Sequence, residues 1–177
     1  VLIPIFEQLG VPTLLSRLDG EFAFVIYDEK NDEIYAGRDP MGIRPLFYGT
    51  TAAGKVCFAS EVKAIQEFCT DIKALPPGCY YQKGEVHSYL DLSVVEEYKD
   101  DSIEEISKNV HDLLVDGVVK RLHSDAPVGF LLSGGLDSSL VCSIAQKHSE
   151  KPIRTFAIGM SEDAIDLKYA KEVADYI

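Results

Sequence analysis

Val128-Gly129-Phe130-Leu131-Leu132-Ser133-Gly134-Gly135-Leu136-Asp137-Ser138-Ser139 opens on a short apolar run and breaks at two glycines. The run reads as a fully buried strand. Leu140, Val141, Ile144 and Ala145 follow at helical spacing. The chain therefore runs strand, tight turn, helix. That order gathers unpaired main-chain N–H groups and the positive end of a helix dipole at one point, which suits an anion. Gly134 and Gly135 permit unusual φ values and close approach. Ser133, Ser138 and Ser139 add hydroxyl donors. Asp137 repels a phosphate unless a cation such as Mg²⁺ sits between the two. The stretch lacks the Gly-Lys-Ser/Thr ending of a Walker loop. A serine-capped strand-to-helix connection is the plain alternative for the glycine pair alone.

A second strand is expected at Ile153–Met160 after the Lys151-Pro152 break, so the two make a parallel βαβ unit. Ligands on such sheets sit at the carboxyl ends of the strands. The first end, Leu132-Ser133, is expected to hold phosphates. The second, Ile158-Gly159, is expected to line an adenine pocket. A last helix carries the stripe Leu167, Ala170, Val173, Ala174 and Ile177, capped by Asp163 or Asp166.

Upstream the pattern changes. Val1–Leu9 has helical spacing and Thr13–Arg17 continues as a second short helix. Phe22–Tyr27 is apolar on both faces and reads as a strand interior to a sheet or sandwich. Ile34–Gly37 returns as its hairpin partner. Further strands are expected at Arg44–Tyr48 and Val56–Ser60, a short helix at Glu61–Phe68, and a last hairpin of Cys79–Gln82 with Val86–Tyr89 around Lys83-Gly84. Arg38 and Asp39 read as an ion pair bracing a proline-rich turn. Tyr89–Asp101 is acidic and lacks an apolar run, which marks a boundary. Ser102-Ile103-Glu104-Glu105 is a capping box. Behind it Ile103, Ile106, Val110, Leu113, Leu114, Val118 and Leu122 form one helical stripe. His111 and His123 read as exposed.

Ser133–Ser139 resembles the pyrophosphate loop of the N-type ATP pyrophosphatases. Leu18-Asp19-Gly20-Glu21-Phe22-Ala23-Phe24 with Gly37-Arg38-Asp39-Pro40 resembles the N-terminal-nucleophile glutaminase domain of class II amidotransferases, as do Phe58–Ala64 and Leu75-Pro76-Pro77-Gly78. Together these motifs resemble the glutamine-hydrolysing asparagine synthetases along essentially the whole chain. The resemblance implies an α+β part followed by an α/β part. Residues 1–90 would be the back of an antiparallel glutaminase domain, 91–101 a linker, and 102–177 the front of a parallel-sheet, adenine-nucleotide α-hydrolase-like synthetase domain. It implies ATP and Mg²⁺ as cofactors, glutamine and aspartate as further substrates, a β-aspartyl-AMP intermediate and a cytoplasmic enzyme, and it leaves a homodimer open. ATP contacts would fall on Leu132, Ser133, Gly134, Gly135, Leu136, Asp137, Ser138, Ser139 and Ile158, with Asp137 the metal ligand. The nucleophilic cysteine and the second synthetase loop would lie outside the chain. The 177 residues thus read as a fragment, inactive alone. A related enzyme with another acceptor, such as a β-lactam synthetase, a non-catalytic nucleotide module and a purely structural domain are the rivals.

The formal net charge of −12 opposes nucleic-acid binding, which phosphate neutralisation drives. It does not oppose a nucleotide, because charges beyond the Debye length of ~8 Å are screened. No apolar run reaches the ~20 residues that span a bilayer, and no stretch has the pattern of a signal peptide. Cys57, Cys69, Cys79 and Cys142 form no CxxC pair and read as reduced thiols of an intracellular protein.

Overall fold

The computed structural model describes residues 2–95, 97–161 and 164–177. Two compact units result, Val1–Tyr98 and Lys99–Ile177.

The first unit begins with α1 (Leu2–Arg17), which is two helices merged across a kink. Gly10, at φ 72°, breaks the first. Pro12 restarts the second, where its missing N–H costs nothing. Val11, Leu14 and Leu15 then bury against Ile26 and Tyr35. β1 (Ala23–Asp28) and β2 (Glu33–Arg38) form the expected hairpin. β3 (Phe47–Thr51), β4 (Val56–Ala59) and β5 (Cys69–Ala74) make a three-stranded antiparallel sheet in the order β4-β3-β5. β6 (Cys79–Gln82) and β7 (Glu85–Ser88) form the last hairpin. Its turn takes Lys83 and Gly84 through positive φ, the geometry that matches strand twist. β6 pairs with β2, which gives a four-stranded sheet in the order β1-β2-β6-β7.

Three expectations fail here. β1 lies at the sheet edge, not inside it, and Val25 and Tyr27 are exposed. Two apolar faces show that a strand is apolar, not which neighbours it finds. Glu61–Phe68 is not a helix. Only Val62–Ala64 make a 3₁₀ turn, and residues 65–68 turn the chain into β5. Arg38 and Asp39 do not pair with each other. The Arg38 guanidinium donates to the carbonyls of Arg44, Gly42 and Leu75 at 2.8, 2.8 and 2.6 Å. Asp39, 1% exposed, accepts N–H bonds from Met41, Ile43 and Arg44 at 3.1, 2.9 and 3.0 Å. The loop is braced from both sides by main-chain contacts, which satisfy a buried carboxylate without a cation.

In the second unit the capping box forms as read. Ser102 Oγ accepts from the Glu105 N–H at 3.2 Å, and the Glu105 carboxylate accepts from the Ser102 N–H at 3.0 Å. It starts α2 (Ile103–Lys120). β8 (Gly129–Leu131) and β9 (Arg154–Phe156) are parallel, joined by α3 (Leu136–Lys147), and α4 (Ile165–Tyr176) follows. Leu132, Cys142 and Ala170 form the core, with Phe130, Ile153, Val173 and Ile177 packed on it. The strand is not fully buried as expected. Alternate residues face opposite sides of a sheet: Phe130 points to this core, while Leu131 is 83% exposed. The architecture is α+β, with antiparallel sheets and one small parallel sheet.

Candidate functional site

The site is built where β8 ends. The Leu132 N–H donates to the Phe156 carbonyl at 2.8 Å, extending the ladder one residue beyond the strand. The Leu132 side chain is 2% exposed and anchors the core, so the next residue, Ser133, is held at the sheet's edge. Gly134 turns the chain at φ 77°. A methyl group at Gly134 would lie 2.5 Å from Tyr169 Cβ and 2.6 Å from the Ala170 nitrogen. This glycine is therefore required by α4 packing against the turn. At Gly135 the nearest atom to an added Cβ is Ser133 Oγ at 3.4 Å, and this residue has room on its outer side.

Gly135 is the N-cap of α3 and supplies no side-chain acceptor. The plain alternative of a serine cap is thus not realised. Instead the serines knit the turn. Ser133 Oγ and Ser138 Oγ lie 3.0 Å apart. Ser138 Oγ accepts from the Ser133 N–H at 3.3 Å and donates to the Gly135 carbonyl at 3.2 Å. Ser139 Oγ donates to the same carbonyl at 2.7 Å. The hydroxyls expected as free donors are engaged with the loop itself. What remains for an anion is the uncapped first turn of α3 with its dipole. Asp137 sits exposed in that turn, as does Leu136. Beneath it the Cys142 thiol is pushed up in pKa by burial, which makes it an inert core residue rather than a nucleophile.

At the carboxyl ends of β8 and β9 opens a cleft of about 500 Å³ lined by Leu131, Leu132, Ser133, Phe156, Ala157, Ile158 and Asp166. Leu132, Ser133 and Ile158, three of the expected ATP contacts, meet there. Ile158 is 92% exposed and offers its whole side chain and main chain to a ligand. The other six residues run from the cleft's edge into the first turn of α3. Asp166, read from sequence as a cap, does not cap α4: the N-cap is Ala164 and receives no side-chain bond. Asp166 lines the cleft instead. The alternative cap, Asp163, lies outside the described residues. The hint available in sequence was position alone, a carboxylate just beyond the second strand end.

Among the described residues no group of three or more His, Cys, Asp or Glu side chains is placed to hold a metal. Magnesium is commonly held by one or two carboxylates together with substrate phosphates. A single exposed carboxylate beside an anion-favouring helix end fits a cation that arrives with its phosphates. The four cysteines are free, and no helix is long and apolar enough to cross a membrane among the described residues.

Residues 1–115 match the family model described as the glutamine amidotransferase domain. The chain belongs to that family. Residues 109–177 match the asparagine synthase model. A probable glutamine-hydrolysing asparagine synthetase of Dictyostelium discoideum is 37% identical over 99% of the chain. Asparagine synthetase B of Escherichia coli is 36% identical over all of it, and asparagine synthetase 3 of Arabidopsis thaliana 38%. The chain covers 35, 34 and 32% of these three proteins, about a third of the length of the curated relatives it matches.

Proposed function

We propose that the chain is part of a glutamine-hydrolysing asparagine synthetase, with residues 1–90 from its glutaminase part, 91–101 as linker and 102–177 opening its ATP-using part. The second unit is read as the beginning of an adenine-nucleotide α-hydrolase-like domain, the first as the back of an N-terminal-nucleophile glutaminase. The observation that carries this reading is the convergence of Leu132, Ser133 and Ile158 on one cleft at the ends of two parallel strands, next to the uncapped start of α3.

ATP would lie with adenine against the apolar wall of Ile158, Ala157 and Phe156. Its phosphates would run over Ser133–Ser139 to the helix dipole. The N–H groups of the first turn hold the negative charge that grows on departing pyrophosphate as aspartate's β-carboxylate attacks the α-phosphorus. Ammonia from glutamine would then displace AMP from the β-aspartyl adenylate. Bound Mg²⁺ would neutralise phosphate charge, with Asp137 as its protein ligand. Asp137→Asn in the full-length enzyme is expected to weaken Mg²⁺-dependent ATP binding by about tenfold or more while the fold persists. Calorimetric titration giving equal ATP–Mg²⁺ affinity for both proteins would rule out the metal role. Pyrophosphate release by the full-length enzyme with aspartate, and not with other carboxylates, tests the acceptor.

A further inference from the structure

We propose that Asp166 recognises the ribose of the nucleotide, accepting hydrogen bonds from its vicinal hydroxyls; the proposal rests on the reading of the cleft as an ATP site. Among the described residues, only two side chains in the cleft wall carry polar atoms, Ser133 and Asp166. Ser133 is tied into the phosphate turn by its contact with Ser138. The remaining wall is Leu131, Leu132, Phe156, Ala157 and Ile158. A nucleotide brings three chemistries: a flat base, a diol and an anionic tail. The apolar wall takes the base and the turn takes the tail. The diol, a pair of O–H donors, then faces Asp166, the one carboxylate among the described residues of the wall, and carboxylates are acceptor-only.

Asp166 is free for this work. It is exposed, in the first turn of α4, and makes no capping bond. Among the described residues it has neither a hydrogen-bond nor an ion-pair partner. Its helix is anchored to the phosphate turn by close packing of Tyr169 and Ala170 on Gly134, so the carboxylate is held in register with the loop. A carboxylate that repels phosphate is also useful there, because it disfavours a reversed nucleotide with its tail at the ribose end.

The test uses the full-length enzyme with Mg²⁺ and calorimetric titration of ATP, 2′-deoxy-ATP and 3′-deoxy-ATP. The wild type should bind ATP about tenfold more tightly than at least one deoxy analogue, the gain expected of a charge-assisted hydrogen bond. Asp166→Asn and Asp166→Ala should lose ATP affinity by a similar factor and bind ATP and that analogue alike. A wild type that binds all three nucleotides equally overturns the proposal with no variant needed. So do variants that keep the gap, or that lose ATP and deoxy analogues in parallel. In each of those cases the ATP reading survives. A wild type that binds none of the three overturns both.

Discussion

Asp39 is the residue whose environment is most one-sided. Burial by itself pushes its carboxyl up, but N–H bonds from Arg44, Ile43, Met41 and Gly42 outweigh that and hold it below the usual carboxylate range. An asparagine there keeps the shape, loses the charge and turns an N–H₂ toward N–H donors. Asp39→Asn should cost about 2 kcal/mol of local stability, since hydrogen bonds to charged groups are the strong ones. Hydrogen exchange at Met41, Ile43 and Arg44 should accelerate by ~30-fold. The pH sign follows from the depressed folded pKa. Stability from Asp39 is complete above the unfolded carboxylate pKa of about 3.9 and fades as pH falls through the lower folded value. The Asn variant should lack that acid-dependent decline at these amides, and an unchanged decline would contradict the account. Gly134 and Gly135 separate packing from binding in the same way. Gly134→Ala places a methyl group against α4 backbone at φ 77° and should destabilise by about 2 kcal/mol or more. Gly135→Ala, with ordinary φ and only a van der Waals contact to Ser133 Oγ, should cost about 1 kcal/mol or less yet impair ATP binding. Equal stability losses in the two variants would sink the distinction.

Elements differ in how far their own residues determine them. The β1–β2 and β6–β7 hairpins have strands and turn residues that act within about ten residues of each other, and both form as read. The Ser102–Glu105 cap is equally local. Ser102→Ala removes the acceptor for the Glu105 N–H and should loosen the first turn of α2 by about 1 kcal/mol, with Ser102→Asp restoring it. First-turn amide exchange measures this, and identical exchange in the Ala variant would mean the cap holds nothing. β5 was not legible because Cys69–Ala74 mixes small, polar and charged residues. It takes Asp71 through φ 51° and pairs with β3 across a register shift between Tyr48 and Thr50. Partners recruit that strand, and partners leave no local signature. The same reason hid the edge position of β1. In α2 the stripe of Ile103, Ile106, Val110, Leu113 and Leu114 was readable from spacing, yet these residues are exposed and only Val118 is buried. Periodicity reports which face is apolar and is silent on what covers it.

Across the molecule, strand-turn-helix order at Leu132–Ser139 was visible in sequence because it is consecutive. The cleft was visible only in part, because Asp166 and the α4 contacts of Gly134 arrive from more than 25 residues away. Charge at this scale is acidic, −12 in all, and the ion pairs Lys108–Asp112, Lys120–Asp116 and Lys171–Asp175 lie on exposed helix faces, where solvent screens them. On the proposed reading, an anionic nucleotide would therefore be drawn in by the α3 terminus and its cation and not by the general field, which is screened beyond ~8 Å. Binding should accordingly be local in its consequences. In the full-length enzyme, ATP with Mg²⁺ should slow amide exchange most strongly in three segments: Leu131–Ser139, Phe156–Ile158 and the first turn of α4. These segments border one cleft and one helix end, and a ligand ordering them suppresses their openings by mass action. Omitting Mg²⁺ should weaken protection around Asp137 more than around Ile158, because the cation serves the phosphates and not the base. Protection centred on Arg38–Leu46, or protection of Ile158 and Asp137 that responds identically to Mg²⁺, would place the nucleotide or its metal somewhere other than this cleft.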